Sequence, residues 1–546
     1  MKPQIKRIVC IFWLLSSALY SGQDRQKELL KKADSLINSY ARADAPGMAI
    51  GIIKDEKIIY KKTYGLANLE YKIPVTDSTA FDIASVSKQF TAFIILLAEK
   101  EEKLSLDDDV RTYLPELKSL PYKITIRQLA SHTHGLPDFS VIKRIQGFGD
   151  EFRVTHSEAV KTMLNIKNFA FRPGDRYWYN NTGFMLLAEI LQRIYKKDFN
   201  EILKEYIFIP LQMNHSVAVN DPEKIIPNKA ESYKENGTVF FKSPLGQMEY
   251  GSSNIFTTLD DLCKWARNFQ KPLVGSRELY DEMQRNTILN TGERVEYGLG
   301  LQTAKYKGLD IVFHGGGTAG YRSYILHIPA YRFSIVLAGN RSVFDGLSIT
   351  YKLVDLFFGD KQTLPPSPKK KSYTQTELKT FEGTYEINPG NYLKIFTKEN
   401  KLYLENNATP LTIMGDDQFN IPFIPTGRIT FQKNTAILGM GDFEFKGKKV
   451  DLTPENTGTI DLTQFTGFYR NEEFNTIYQL VIEDNKLVAT HPINPKIPLY
   501  PLNPTTFYSS KSIFGQLDFQ YDKNKQIMGF KLSGANFSNL EFRKIK

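Results

Sequence analysis

At 546 residues the chain is too long for one hydrophobic core and implies roughly two to four domains. With 41% hydrophobic and 24% charged residues it has a globular composition, which excludes a disordered or collagen-like chain. Its formal charge of +10 comes without a dense basic cluster apart from Lys369-Lys370-Lys371, which excludes a nucleic-acid footprint.

Residues 1–22 read as a secretory signal: Lys2, Lys6 and Arg7 precede an apolar run from Ile8 to Leu15, and Ser16, Ser17 and Ala18 are small. The run is too short to span a bilayer as a stable anchor. Cleavage would take the charge from +10 to +7 and leave Cys263 as the sole cysteine, so no intrachain disulfide is expected. Cys263 lies in a helical pattern with Leu262, Trp265 and Ala266 and reads as a buried core thiol. No CxxC, HExxH or P-loop is present, so no metal or nucleotide cofactor is expected.

Residues 24–43 carry Leu29, Leu30, Ala33, Leu36, Ile37 and Tyr40 on one helical face. A hairpin follows, Met48 to Ile53 and Ile58 to Tyr64, turning at Lys54-Asp55-Glu56. From about residue 105 to 300 the pattern is mainly helical, as in Phe184 to Tyr195 and Asp260 to Phe269. Strands return as a meander at Asp310 to Phe313, Tyr321 to His327 and Phe333 to Ala338, before a closing helix from Leu347 to Phe358. Strands at both ends with helices between them predict an antiparallel sheet covered by helices over residues 23–358.

Residues 359–373 read as a linker, because Leu364-Pro365-Pro366-Ser367-Pro368 and three lysines have little to bury. The rest repeats itself. Phe381-Glu382-Gly383-Thr384-Tyr385 recurs as Phe465-Thr466-Gly467-Phe468-Tyr469, and Asn400-Lys401-Leu402 as Asn485-Lys486-Leu487. This predicts two small all-β modules, 374–458 and 459–546, each a closed barrel of roughly eight short strands.

Three motifs carry chemistry. In Ser85-Val86-Ser87-Lys88 the serine falls in the first turn of an apolar helix (Phe90, Phe93, Ile94, Leu97), with the lysine one turn on along the same face. A serine hydroxyl needs a base to become a nucleophile, and a lysine kept neutral by burial is one. Tyr179-Asn180-Asn181 supplies a phenol able to share that lysine's proton and, in Asn181, a donor and acceptor for a substrate amide. In His314-Gly315-Gly316-Gly317 the glycines let a substrate backbone lie along a strand edge. The N–H groups of Gly317 and Ser85 would form an oxyanion hole, and His314 a donor, or a charge, near a substrate carboxylate or the Tyr179 oxygen.

Together the motifs resemble the serine β-lactamase and penicillin-binding-protein superfamily, in its class C β-lactamase, D-Ala-D-Ala carboxypeptidase and esterase branch, which carries Ser-x-x-Lys, Tyr-x-Asn and Lys- or His-x-Gly in this order. Thr125 to Leu129, His132 to Pro137, Pro173-Gly174 and Ser252 to Trp265 look like the same family, so the resemblance covers residues 30–358. It implies an α+β fold, an antiparallel sheet flanked by helices plus a helical subdomain, with no cofactor. Ser85 matches the acylated nucleophile, Lys88 its basic partner and Tyr179 the general base or acid; which of the last two removes the proton stays open. Asn181, His314, Gly316 and Gly317 match substrate-binding positions. Histidine at 314, where class C β-lactamases carry lysine, points away from efficient antibiotic hydrolysis. His132 and His134 read as loop-holding residues.

The layout, a hydrolase domain followed by two lipocalin-like barrels, is similar to D-aminopeptidases of the superfamily, in which a barrel loop reaches toward the active site. The expectation is an exported serine hydrolase, periplasmic or secreted. It would act through a Ser85 acyl-enzyme on amide or ester bonds of small peptides, with D-amino-acid peptides, cell-wall peptides and β-lactams as candidate substrates. The alternative is a non-catalytic envelope peptide- or penicillin-binding or sensor protein of the same fold.

Overall fold

A computed structural model describes residues 24–545 apart from 150–151, 363–371, 389, 406, 408, 423–426, 441–442, 453–459 and 535–536. The expected signal segment at 1–22 and the Pro/Lys-rich part of the expected linker lie outside the described residues.

The central sheet comprises β1 (Met48–Lys54), β2 (Lys57–Tyr64), β3 (Gln302–Tyr306), β4 (Leu309–Thr318), β5 (Tyr321–Ile328) and β6 (Phe333–Gly339). The helices that matter to the site are α1 (24–38), α2 (Lys88–Lys100), α3 (Phe139–Ile145), α4 (Thr182–Tyr195), α5 (Leu259–Gln270) and α6 (Gly346–Phe358). All six strands are antiparallel in the order β3-β4-β5-β6-β1-β2. The β1–β6 ladder runs from Met48↔Gly339 to Lys54↔Phe333, so the sheet closes only when distant parts of the chain meet.

Period-2 alternation assigns the two faces. Ile50, Ile52, Leu326, Ile335 and Leu337 join Ala33 and Ile37 of α1 and Ile349, Leu353 and Val354 of α6 in one buried cluster. On the other face α5 lies over β1, with Cys263 Sγ and Leu259 above Gly51. Cys263 is buried and unbridged, and burial pushes its thiol up to about 12. The helical subdomain is built on α2, which is buried nearly all round, as a helix that is apolar on every face must be. Phe90 stacks on Trp265 with ring centroids 4.2 Å apart, and the Trp265 indole N–H donates to Gln89 Oε1 at 3.0 Å.

One strand is longer than the sequence pattern predicts. The glycine run after Phe313 does not end β4, which pairs with β5 as far as Thr318↔Tyr321. Glycine has low strand propensity, so the extension is invisible to pattern alone; the neighbouring strand imposes it.

Each C-terminal module has eight strands. The second is a closed barrel spanning Gly467–Asn471 to Phe537–Ile545. The closure expected of the first is not found: among the described residues its sheet stays open between Lys401–Leu404 and Thr412–Gly415. The Leu411 N–H reaches the Leu402 carbonyl at 2.8 Å, but no ladder follows; Pro410 has no N–H to extend one.

The duplicated Phe-x-Gly-x-Tyr motif has one structural job in both modules. Tyr385 donates to the Phe381 carbonyl at 3.0 Å and Tyr469 to the Phe465 carbonyl at 2.8 Å. The glycines between them sit at φ +145° and +135°, a region open to glycine and costly for other residues.

The second barrel is fused to the helical subdomain. Its aromatic interior, from Phe465 to Phe542, is continuous with the apolar core around α2 and α4. At the junction Tyr478 donates to the Ile145 carbonyl at 2.8 Å, Asn494 Nδ2 to the Arg144 carbonyl at 2.8 Å, and Gln146 Nε2 to the Phe474 carbonyl at 2.8 Å.

Asn340, just past β6, ties the sheet to the loops around the site. Its Oδ1 accepts the Gly47 N–H at 2.6 Å, and its Nδ2 donates to the carbonyls of Glu231 at 2.8 Å and Leu66 at 3.1 Å. Asn340→Ala strands these buried backbone groups and should cost about 2–4 kcal/mol. A fall of several degrees in the thermal midpoint, read by calorimetry, is the expected result.

Candidate active site

Ser85 lies in a 3-10 turn, Ala84–Ser87, that runs directly into α2. The turn is held by force: Ala84 adopts φ +46°, which costs a non-glycine residue roughly 1–2 kcal/mol. Asp82 Oδ1 accepts the Ala84 N–H at 2.6 Å, and Ser323 Oγ donates to the Ile83 carbonyl at 2.6 Å. Burial raises the Asp82 carboxyl to about 7. Strand β4 passes close beside the turn, because a Cβ on Gly316 would lie 2.3 Å from both the Ile83 carbonyl oxygen and Ser323 Oγ. Strand β3 pairs with β4 only as far as Phe313, so beyond His314 that edge of β4 is left to the Ser85 turn.

Lys88 is 0% exposed. Its Nζ contacts Ser85 Oγ at 3.1 Å, Asn181 Oδ1 at 2.9 Å and the Ser252 carbonyl at 2.9 Å, and stands 5.0 Å from the centre of the Tyr179 ring. Burial lowers its pKa to about 7, although the buried carboxylates of Glu249 and Asp138 pull the other way. Burial thus brings the uncharged amine within reach near neutral pH. An uncharged amine has two protons and one lone pair. Asn181 Oδ1 and the Ser252 carbonyl only accept, so the lone pair faces the one partner with a proton to give, the Ser85 hydroxyl.

The Tyr179 hydroxyl also interacts with the Ser85 side chain. Burial holds Tyr179 well above the ordinary phenol range, with Asp138 reinforcing the shift and the Ser85 bond opposing it. At neutral pH Tyr179 is a proton donor. Asp138 organises this side: it caps α3 through the Ser140 N–H at 2.8 Å and accepts the Asn181 N–H at 2.7 Å.

His314 differs from its expected part. Its side chain is buried, its Nδ1 faces the Gly315 carbonyl at 2.7 Å, and its Nε2 faces the Tyr297 hydroxyl at 3.2 Å. Tyr297 in turn meets His132 Nε2 at 3.1 Å, and His132 Nδ1 accepts the Asn180 N–H at 3.3 Å. One assignment satisfies the whole chain: His132 donates to Tyr297, Tyr297 to His314, and His314 to its own strand. Burial, with the Lys88 charge adding to it, holds His314 at about 3 and His132 well below the usual histidine range. Both rings are neutral, so His314 brings no charge to a substrate and instead packs beside Tyr179, ring centroids 6.0 Å apart.

The structure thus brings Ser85, Lys88, Tyr179 and Asn181 together, with Gly316 and Gly317 alongside and His314 behind. Sequence reasoning missed Asp138, Glu249, Ser252 and Tyr297. Ser252 contributes a backbone carbonyl, which no side-chain motif reveals, and the other three act only through partners distant in sequence. Among the described residues no group of three or more His, Cys, Asp and Glu side chains is placed to hold a metal ion. No helix among them is long and apolar enough to cross a membrane.

Fold and site define the class: a β-lactamase-like α+β protein with added all-β modules. The chain belongs to the Beta-lactamase family, whose model matches residues 33–354. It is 30% identical over 301 residues to the D-aminopeptidase of Gluconobacter oxydans (strain 621H), covering 55% of this chain and 57% of that protein. It is 27% identical over 373 residues to penicillin-binding protein 4* of Bacillus subtilis (strain 168), covering 64% of this chain and 81% of that one. The chain thus spans less than two thirds of the D-aminopeptidase's length. The octameric penicillin-binding protein homologue from Pyrococcus abyssi shares the fold, with TM-score 0.56 and 23% identity over 84% of this chain and 98% of that one.

Tyr297→Phe removes the middle of the His132–Tyr297–His314 chain and leaves two buried imidazole nitrogens without partners. The expected loss is about 1–3 kcal/mol of stability, read as an earlier unfolding midpoint in urea.

Proposed function

We propose that the chain is an exported serine hydrolase that cleaves amide or ester bonds of small peptides, D-amino-acid peptides among them, through an acyl-enzyme on Ser85. The observation that carries the reading is the buried Lys88 amine, whose Nζ lies 3.1 Å from Ser85 Oγ and 2.9 Å from each of two acceptors, Asn181 Oδ1 and the Ser252 carbonyl, that have no proton to give. Export rests on the signal pattern at 1–22. The preference for small peptides rests on the relatives' names, D-aminopeptidase and penicillin-binding protein.

The chemistry follows from the proton inventory. Neutral Lys88 takes the Ser85 proton as Oγ attacks the substrate carbonyl carbon. The N–H groups of Ser85 and Gly317 are the donors for the resulting oxyanion. As the bond to the leaving group breaks, Tyr179 gives its proton to the leaving nitrogen or oxygen and recovers one from Lys88. Water then attacks the Ser85 ester, its proton accepted by the same pair and passed to Ser85 Oγ as the ester bond breaks, and the free acid departs. Because Tyr179 holds its proton and Lys88 titrates near neutrality, the base is assigned to Lys88 and the relay to Tyr179.

Labelling with a fluorophosphonate probe tests the nucleophile. Wild type should label and Ser85→Ala should not; equal labelling of both would remove Ser85 from the mechanism. The labelling rate should rise with pH through an inflection at about 7, because the Lys88 pKa is depressed and the amine works only after losing its proton. Lys88→Ala and Tyr179→Phe should each lose about a hundredfold or more in turnover while circular dichroism shows an intact fold. A panel of D-aminoacyl amides, D-Ala-D-Ala peptides, cephalosporins and short esters would place the substrate.

A further inference from the structure

Among the described residues, the charged side chains that line the cleft beside Asn181 are all cations. The cleft encloses about 680 Å³ between α3, the Tyr233–Asn236 strand and the β4–β5 turn. Among the described residues, Arg144, Lys234 and Arg322 line it together with Asn181, Gly317 and Thr318, and no described Asp or Glu does. No described residue of 374–546 lines it either.

Arg322 is the best placed of the three cations. It lies directly across from Gly317 in the β4–β5 ladder. One end of its guanidinium is fixed, NH1 donating to the carbonyls of Tyr321 at 2.7 Å and Ala319 at 3.2 Å. Among the described residues it has no ion-pair partner, and neither has Lys234. Partial burial makes that unpaired charge costly and lowers the Arg322 pKa from its ordinary value. A guanidinium fixed at one edge, with its other N–H groups open to a cleft, is set up for a planar anion.

The orientation of a substrate decides which of its parts meets this arginine. The leaving group must sit where Tyr179 can protonate it, at the His314 end of the open β4 edge. Gly317, whose N–H receives the scissile carbonyl oxygen, lies further along the strand, opposite Arg322. With the leaving group on the Tyr179 side of that carbonyl, the acyl portion continues past Gly317 toward Arg322.

We propose that this cleft selects acyl donors that carry a carboxylate, with Arg322 as the specificity-determining cation. The inference rests on the Ser85 acyl-enzyme reading and narrows it to a substrate class. It also sets this chain against a free α-ammonium in the acyl part, which would meet the like charges of Arg322 and Lys234.

Three p-nitroanilides of D-alanine test it on the full chain: N-succinyl (anionic), N-acetyl (neutral) and the free amine (cationic). At low salt kcat/KM should favour the succinyl over the acetyl compound by at least about tenfold, with the free amine poorest. The gap should shrink at about 0.5 M salt, where screening is short-ranged. In Arg322→Gln, with its fold checked by near-ultraviolet circular dichroism, the succinyl-to-acetyl ratio should fall to within about threefold. If that variant does not fold, Lys234→Gln, at an exposed position, should still lower the ratio. Equal rates for the three compounds, a preference for the free amine, or a ratio untouched in the folded variant would overturn the proposal. If none turns over but Ser85 still labels, protection of Ser85 from the fluorophosphonate replaces turnover as the readout, and protection by the free amine as good as by the succinyl compound overturns it. Failure of Ser85 to label at all would instead bring down the acyl-enzyme reading beneath it.

Discussion

A lysine with no exposed surface is the constraint around which the hydrolase domain is arranged. Taking an ammonium out of water is expensive, and the protein answers by letting Lys88 go neutral near pH 7 and by surrounding its nitrogen with oxygen. The oxygens come from three separate stretches: Ser85 from the turn before α2, Asn181 from the start of α4, and Ser252 from the segment before α5. Each stretch is held by its own device. The strained Ala84 is pinned by Asp82, Asn181 is tied to Asp138, and Ser252 Oγ bonds Glu249 at 3.1 Å. The cost of the buried amine and the cost of the strained turn are both met by the packed sheet and helices around them.

The same economy of charge explains the histidines. Two imidazoles buried within reach of Lys88 would compete for its proton if their own affinity were ordinary. Burial and the Lys88 charge suppress both, and Tyr297 between them fixes which nitrogen of each carries hydrogen. What remains beside Ser85 is an amine whose proton affinity burial brings to about 7 and a phenol that burial keeps protonated. The Arg322 side of the cleft contributes fixed positive charge.

The C-terminal modules are not appendages in equal measure. The second barrel shares its apolar interior with the helical subdomain and bonds the end of α3, the helix whose other end is capped by Asp138 and leads to Asn181. The first has its own separate core. It meets the second where Tyr392 bonds Gln516 at 2.7 Å, and touches the hydrolase domain through the exposed Lys446–Glu293 pair at 3.0 Å, an interaction of small energetic weight. Duplicated sequence has therefore produced two units with the same tyrosine-to-phenylalanine bond and different attachments.

By itself the sequence determined the elements whose signal is local: the apolar period of α2, α4, α5 and α6, the β1–β2 hairpin, the β5 and β6 strands, and the repeat that marks two all-β modules. Ser85, Lys88, Tyr179 and Asn181 were legible because their spacing along the chain reflects one helix turn and one helix start. Tertiary structure alone decided the rest. That β4 continues through three glycines depends on β5 beside it, and that the first module stays open depends on strands failing to meet. The lowered basicity of His314, Lys88 and Arg322 depends on how much water the surrounding chain removes from each. Burial and pairing between residues far apart in the chain set those properties, and neither is written in the neighbourhood of the residue that shows them.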